Sequence, residues 1–432
     1  MMNPPAGDAE KPPESRRARL RRQAVHFIKH GPFAIAASSL PGFVNYGVVL
    51  YLAYTQSVAE AGTYRLLTAW FALLSLAALT ESSKVAIRAT ADSDWKALGR
   101  LLTNRLFFSF IVLVVAAAAY AGQDRFGLSV VPADLVVLAL IAAVSAPTDL
   151  YRSLLQARQR FFLLFVADFA KYLISFAAFV ASLWAGGAIR EAVIAYFAVM
   201  MLCHLGYTAI WLSRAIGEIS LGPRALLAAL RSPEGRDART LSLSNVLPNS
   251  LEHIDKMLIG RFFGLHALGL YTIGFSTGRF IYNALKPALY VYYKSFVDRL
   301  PSDRVILVVT VVFTLFGVAL SALLLVLIAT VPQLATLKGT EWISVVLFLA
   351  YGVAMADAVY TQAYAINKKT KSVHVMIANG VASVLCLVLF GVALLFPVAI
   401  ALLLFAAHYG LRHLATVVIL SRLKARQARI AA

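Results

Sequence analysis

Two polar stripes run through segments of this chain that are otherwise apolar. Asn245, Asn249, Glu252 and Lys256 recur at i, i+4, i+7 and i+11, and Thr272, Ser276, Arg279, Asn283, Lys286 and Tyr290 follow at the same spacing. A helix gathers each set on one face. Shorter groups repeat the pattern: Ser145, Asp149, Arg152 and Gln156; Asp168, Lys171 and Ser175; His408 and Arg412. An ionisable side chain in hydrocarbon is costly, so it faces a cavity or a partner. Fixed cations in such a place do the chemistry of anion binding, Arg by bidentate contact and Lys as a point charge. Arg279, Lys171, Lys286, Arg412, Lys256, Asn283 and Asn249 are therefore the candidate substrate-binding residues. Asp168, Glu252, Asp255 and Asp357 are candidates for coupling to a proton or sodium ion. No catalytic set, metal site or cofactor is expected; Cys203 and Cys386 both sit inside apolar runs, which argues against a disulfide framework or a metal cluster.

Each assignment has a plainer competitor. Lys171 stands three residues after Asp168 and Lys256 four after Glu252, so either is able to pair within its own helix. Lys286 and Arg412 stand near a membrane face and are able to snorkel to it. Arg279 has no acidic residue within four positions, which excludes a local ion pair. At ~1.5 Å per residue it lies roughly 15 Å from the outer end of its span, near the midplane, and Lys171 is at similar depth.

The elements that carry these stripes are membrane helices. The chain has 432 residues, of which 60% are hydrophobic and only 14% charged. A soluble domain of this size could not hide that much apolar surface, so a soluble enzyme, a disordered chain and a fibre are excluded. Apolar runs recur near 33–56, 65–83, 106–122, 135–155, 161–184, 191–213, 241–264, 267–296, 305–330, 342–365, 372–396 and 397–420. This predicts an all-α polytopic membrane protein with about twelve transmembrane helices. The net charge of +19 need not mean nucleic acid, because the cations are sorted. Thirty Lys and Arg fall in the termini and on one set of connections, five on the other set and five inside spans. The positive-inside rule puts the thirty, and both termini, in the cytoplasm. The longest external connection, around 123–134, is too short to house an active site.

A weak internal repeat divides the spans six and six. Leu40-Pro41 aligns with Leu247-Pro248 at an offset of 207, and Gly62 and Tyr64 then meet Gly269 and Tyr271. At an offset of 211, Arg158 and Arg160 meet Lys369 and Lys371, and Asp168 meets Asn379. Six spans is an even number, so the halves share orientation and a pseudo-two-fold axis runs along the membrane normal, with the substrate between them. The expected organisation is a basic cytoplasmic tail over 1–32, a six-helix bundle over 33–213, a cytoplasmic linker over 214–240, a second bundle over 241–420 and a basic tail over 421–432.

One stretch is more specific. Asp255-Lys256-Met257-Leu258-Ile259-Gly260-Arg261-Phe262-Phe263-Gly264, then Ala267-Leu268-Gly269-Leu270-Tyr271 and Pro287-Ala288-Leu289, resembles the bacterial polysaccharide-repeat flippases of the Wzx type. Glu60-Ala61-Gly62-Thr63-Tyr64 is similar to that family's turn after span one. These flippases belong to the multidrug/oligosaccharidyl-lipid/polysaccharide exporter superfamily, and the resemblance implies two six-helix bundles around a central cavity. It implies a bacterial inner-membrane exporter of an undecaprenyl-diphosphate-linked oligosaccharide, in lipopolysaccharide or exopolysaccharide synthesis. The implied partners are that lipid-linked oligosaccharide, membrane lipids, and a polymerase and glycosyltransferases of the same pathway. Twelve rather than fourteen spans lowers the weight on the lipid II type. The runner-up is a multidrug cation extruder of the same superfamily; a membrane glycosyltransferase or polymerase would need a sizeable outer loop.

Overall fold

The computed structural model describes residues 16–431 apart from 80, 92, 122–131, 220–221, 287–299, 332–333, 335–337 and 367–371. The first fifteen residues, Pro287-Ala288-Leu289, Tyr290, Lys369 and Lys371 lie outside the described residues. Among the described residues every regular element is a helix. In the first half these are α1 (Arg16–Thr55), α2 (Val58–Leu76), α3 (Ser82–Ala91), α4 (Trp95–Ala121), α5 (Pro132–Thr148), α6 (Tyr151–Ala157), α7 (Phe161–Trp184) and α8 (Ile189–Trp211). Two short helices, α9 (Ser213–Gly217) and α10 (Pro223–Arg231), lead to α11 (Pro233–Phe262) and α12 (Gly264–Leu285). The second half continues with α13 (Asp303–Thr330), α14 (Glu341–Leu349), α15 (Tyr351–Ile366), α16 (Ser372–Ala393) and α17 (Val398–Ala431). Eight helices are long and apolar enough to cross a membrane, and α14 with α15, bent by 47° at their junction, makes a ninth. Nine of the twelve expected spans are thus recognisable by composition alone.

The other three expected spans are α2, α11 and α12, and their place in the fold explains why they are less apolar. With α1 they form the contact between the halves: α2 packs on α11 and α12, and α1 on α12. These helices face protein and one another's polar groups rather than lipid on all sides. Phe43 of α1 meets Phe280 of α12 edge-on with centroids 4.4 Å apart, and Tyr46 is hydrogen-bonded to Thr277 at 3.0 Å.

The neighbours in the first half recur in the second. The pairs α1/α2, α1/α7, α4/α5, α7/α8, α5/α8 and α2/α5 correspond to α11/α12, α11/α16, α13/α15, α16/α17, α15/α17 and α12/α14. The two halves are six-helix bundles related by a pseudo-two-fold. The most telling contact joins the aligned glycines. A Cβ on Gly62 would lie 2.1 Å from the Leu265 carbonyl oxygen, and one on Gly269 would lie 1.9 Å from the Val58 carbonyl oxygen. Val58 and Leu265 are themselves equivalent at the 207 offset. Residue i therefore meets j′ and i′ meets j, the reciprocity of an isologous two-fold contact. The helices cross so closely that only hydrogen fits on either side.

Two boundaries differ from the hydropathy reading. Helix α2 starts at Val58 rather than near 65, because Ser57 caps it by accepting the Glu60 N–H at 3.1 Å. The Ser-x-x-Glu signature of a helix start was readable in the sequence. This moves Arg65 out of the external connection and two turns into the helix. The segment 214–240 is largely helical: α10 docks on α4 through the Asn104 side-chain amide, which donates to the Ala229 carbonyl at 2.9 Å, and Ser232 caps α11 by accepting the Gly235 N–H.

Candidate functional site

The recurring motif builds a helical hairpin. Gly264 has φ +85, a left-handed conformation that favours glycine, and turns the chain from α11 into α12. Gly269 five residues later permits the crossing with α2. The Tyr271 hydroxyl then donates back to Asp255 at 2.6 Å. Asp255 also accepts the Lys256 ammonium at 2.9 Å, and both side chains are 0% exposed. Lys256 donates in addition to the backbone carbonyl of Glu252 and lies 4.5 Å from the Phe275 ring centre. Asp255 thus clips the hairpin, and Lys256 pairs with it rather than with the Glu252 carboxylate. In the first half Tyr64, the counterpart of Tyr271, also reaches back to the preceding helix, donating to Asn45 of α1 at 3.0 Å, one turn from the position that matches Asp255.

The Glu252 carboxylate has other partners. Arg279 of α12 donates to it at 2.7 Å and Arg412 of α17 at 3.1 Å. Arg412 donates also to the Pro248 carbonyl at 3.1 Å. The Arg279 guanidinium lies 5.4 Å from the Phe275 ring centre and 5.1 Å from that of Tyr409, which fixes its position by cation–π attraction. Lys286, seven residues along the same face, is 5.9 Å from the Tyr282 ring and has no ion pair among the described residues. Asn283 faces Gly42 of α1, its amide nitrogen 3.9 Å from where a Cβ would stand. Asn249 is half-buried on α11. Asp357 of α15 faces His413 across 2.5 Å and accepts from Thr361 at 2.7 Å.

Arg65 joins this group from the other half. It interacts electrostatically with Asp255, Glu252 and Arg279, and its Nε is buried without a hydrogen-bond partner among the described residues. Reading spans by hydropathy alone missed it. Five cations, Arg65, Lys256, Arg279, Lys286 and Arg412, here accompany three carboxylates, Glu252, Asp255 and Asp357. The first-half positions equivalent to Glu252, Asp255, Lys256 and Arg279 are Asn45, Val48, Val49 and Ala72. The scaffold is symmetric, and the charge is built on one side of it.

Lys171 belongs to a separate cluster inside the first bundle. It donates to Asp168 at 2.7 Å, with Arg152 at 3.0 Å from the other carboxylate oxygen and the Tyr151 hydroxyl 3.3 Å away. Arg105, 0% exposed, pairs with Asp149 and donates to Ser82 and the Ala146 carbonyl, tying α4 to α5 and the start of α3. Lys171 and Asp168 are 1% and 0% exposed, whereas Arg279, Glu252 and Arg412 are 16%, 25% and 15% exposed. The second-half trio is partly exposed, and the first-half pair is sealed in packing.

No protein-family profile and no curated protein matches the sequence. Solved structures do match it. The eukaryotic MATE transporter AtDTX14 superposes with a TM-score of 0.59 at 12% identity, over 95% of this chain and 98% of that one. A point mutant of the MATE transporter VcmN from Vibrio cholerae superposes with a TM-score of 0.52 at 14% identity, over 94% and 97%. The match spans nearly the whole length of this chain and of each of those structures, and the chain is a multi-pass membrane protein with the MATE-transporter fold.

Proposed function

We propose that the chain exports an anionic, diphosphate-bearing lipid, an undecaprenyl-diphosphate-linked oligosaccharide, across the bacterial inner membrane. The observation that carries this reading is the convergence of Arg279 and Arg412, from two helices, on the single carboxylate of Glu252. Two guanidiniums share one negative charge, with Lys286 and Arg65 close by. A diphosphate offers what that arrangement lacks: two phosphate groups, each able to take a guanidinium bidentately. Glu252 acts as the resting occupant. When the headgroup arrives, the arginines exchange one carboxylate for two phosphates, and the desolvation cost of moving the headgroup is met by fixed donors.

The Gly62–Gly269 contact lies near the first turns of α2 and α12. The charge asymmetry assigns those ends to the periplasmic side. Arg279 is ten residues further along α12, about 15 Å deeper. This arrangement suits a state closed to the outside that receives its substrate from the cytoplasm. Rocking the halves apart at the glycine crossing then opens the other side. The acyl tail stays in lipid, and the membrane potential contributes about 2.3 kcal/mol per charge per 100 mV to an anion leaving a negative interior.

The competing reading, a multidrug cation extruder, uses the same fold, and the rings of Phe275, Tyr282 and Tyr409 suit a cation. The excess of cations over carboxylates around Glu252 weighs against it. Reconstituted vesicles separate the two. The flippase reading expects the lipid-linked oligosaccharide to become accessible to a soluble reagent across the membrane, with no uptake of a cationic dye. Dye uptake without lipid movement would reverse the assignment.

A further inference from the structure

We infer a second anion site, on the outer flank of the first bundle and remote from Glu252, that takes the phosphate headgroup of an acidic membrane lipid. A cavity of about 270 Å³ opens where α4, α6, α8 and α9 end, lined by Trp95, Leu154, Arg158, Arg160, Trp211 and Arg214 among others. All of these ends lie on the side that the charge asymmetry assigns to the cytoplasm.

Three arginines converge on this cavity, and none of them has an ion pair among the described residues. Arg158 and Arg214 instead rest on Trp95, at 5.3 and 5.8 Å from its ring centre. Of the acids adjacent to the lining in sequence, Asp94 is turned away into the cap of α4, accepting the Ala97 N–H at 2.9 Å, and Glu218, four residues after Arg214, forms no ion pair with it. The backbone shapes the rim. Helix α6 ends at Ala157; two residues on, Gln159 has a left-handed φ of 56, and the Arg160 N–H closes back on the Leu155 carbonyl at 2.9 Å. This turn sets Arg158 and Arg160 on the same pocket. The left-handed conformation is uncommon for a residue other than Gly, Asn or Asp.

The chemistry of the lining selects the ligand. Tryptophans at the end of a membrane span sit at headgroup depth, where their apolar bodies meet acyl chains. Three guanidiniums without carboxylates select a phosphate, and Arg binds it bidentately. The buried Leu154 and the two indoles set apolar walls beside the arginines, which suits an amphipathic ligand better than a free nucleotide or sugar. The cavity fits a phosphate diester on a glycerol backbone, the headgroup of an anionic phospholipid of the cytoplasmic leaflet. The site involves none of the residues proposed to carry the transported substrate.

The test is native mass spectrometry of the detergent-solubilised full-length chain, titrated with phosphatidylglycerol and, separately, phosphatidylcholine. Phosphatidylglycerol is expected to bind at least about tenfold more tightly than phosphatidylcholine. The preference should fall about fivefold in Arg160→Gln and vanish in the Arg158→Gln, Arg160→Gln, Arg214→Gln triple variant. A thermal melt of each variant close to that of the wild type shows that the fold is retained; Arg160→Gln alone serves if the triple variant does not melt cooperatively. Equal binding of the two lipids, or an unchanged preference in the variants, would overturn the site. Displacement of the bound lipid by 10 mM inorganic phosphate would overturn its assignment to a lipid in favour of a soluble phosphate compound.

Discussion

Arg279 meets Glu252 at 2.7 Å across two neighbouring helices, although 27 residues separate them in the chain. The pair is what makes the polar stripes of α11 and α12 one site. It is also poised to change: Glu252 is shared with Arg412, so releasing one guanidinium leaves the carboxylate partnered.

Removing the resident charge should therefore separate binding from turnover. Glu252→Gln is expected to bind a soluble short-chain polyprenyl diphosphate about tenfold more tightly, by isothermal titration, because the two arginines no longer have a competing carboxylate. Export in cells should fall, since the same charge is needed to release the headgroup. Weaker binding in Glu252→Gln would contradict the exchange of partners.

The glycine crossing predicts a packing defect of known size. Gly62→Ala and Gly269→Ala each force a Cβ onto a backbone carbonyl within about 2 Å. Each should lower stability by about 1–3 kcal/mol, read as a fall in detergent melting temperature. Gly206→Ala, with nothing within 4 Å, should be neutral or slightly stabilising.

The Asp255–Lys256 pair is fully buried, so breaking it should cost more than deleting it. Asp255→Ala leaves an uncompensated ammonium and is expected to cost about 3–5 kcal/mol. Asp255→Asn combined with Lys256→Met should recover much of that loss. If the double variant is as unstable as the single, the pair has a role beyond mutual neutralisation.

Orientation follows from the charge asymmetry. Tags at both termini should report the cytoplasm, and a reporter inserted at Gly339 the periplasm. A periplasmic C-terminus would contradict an even number of spans.

Much of this fold was legible because membrane helices are written in composition. Nine spans stand out by apolar length, and the polar stripes drew attention to α11 and α12, whose Glu252 and Arg279 the structure brings into contact. The repeat was readable because the crossing demands glycine in both halves and the Tyr64 and Tyr271 hydroxyls each reach back to the preceding helix. Pairing was not legible. Helical spacing offered Lys256 as the partner of Glu252, but the carboxylate is reached from α12 and α17, and no local rule encodes contacts between helices that distant in sequence. Arg65 was hidden by a window average: the polar first turns of α2 lowered its hydropathy, and only the Ser57–Glu60 cap revealed where the helix begins. Arg105 and Arg152 were counted only as charges of the cytoplasmic side, and their ion pairs, which knit the first bundle, were not legible.

The central claim is that Arg279 holds the transported headgroup by two-point contact, and surface polysaccharide in a flippase-null strain complemented by Arg279 variants tests it most directly. Membrane abundance of each variant is checked by blot. Arg279→Ala should lower export at least about tenfold at near-normal abundance, and Arg279→Lys should also impair it, because an ammonium keeps the charge and loses the fork. Lys171→Ala, acting on a sealed pair, should lower abundance rather than export per molecule. Wild-type export by well-expressed Arg279→Ala and Arg279→Ala, Arg412→Ala variants would contradict the account.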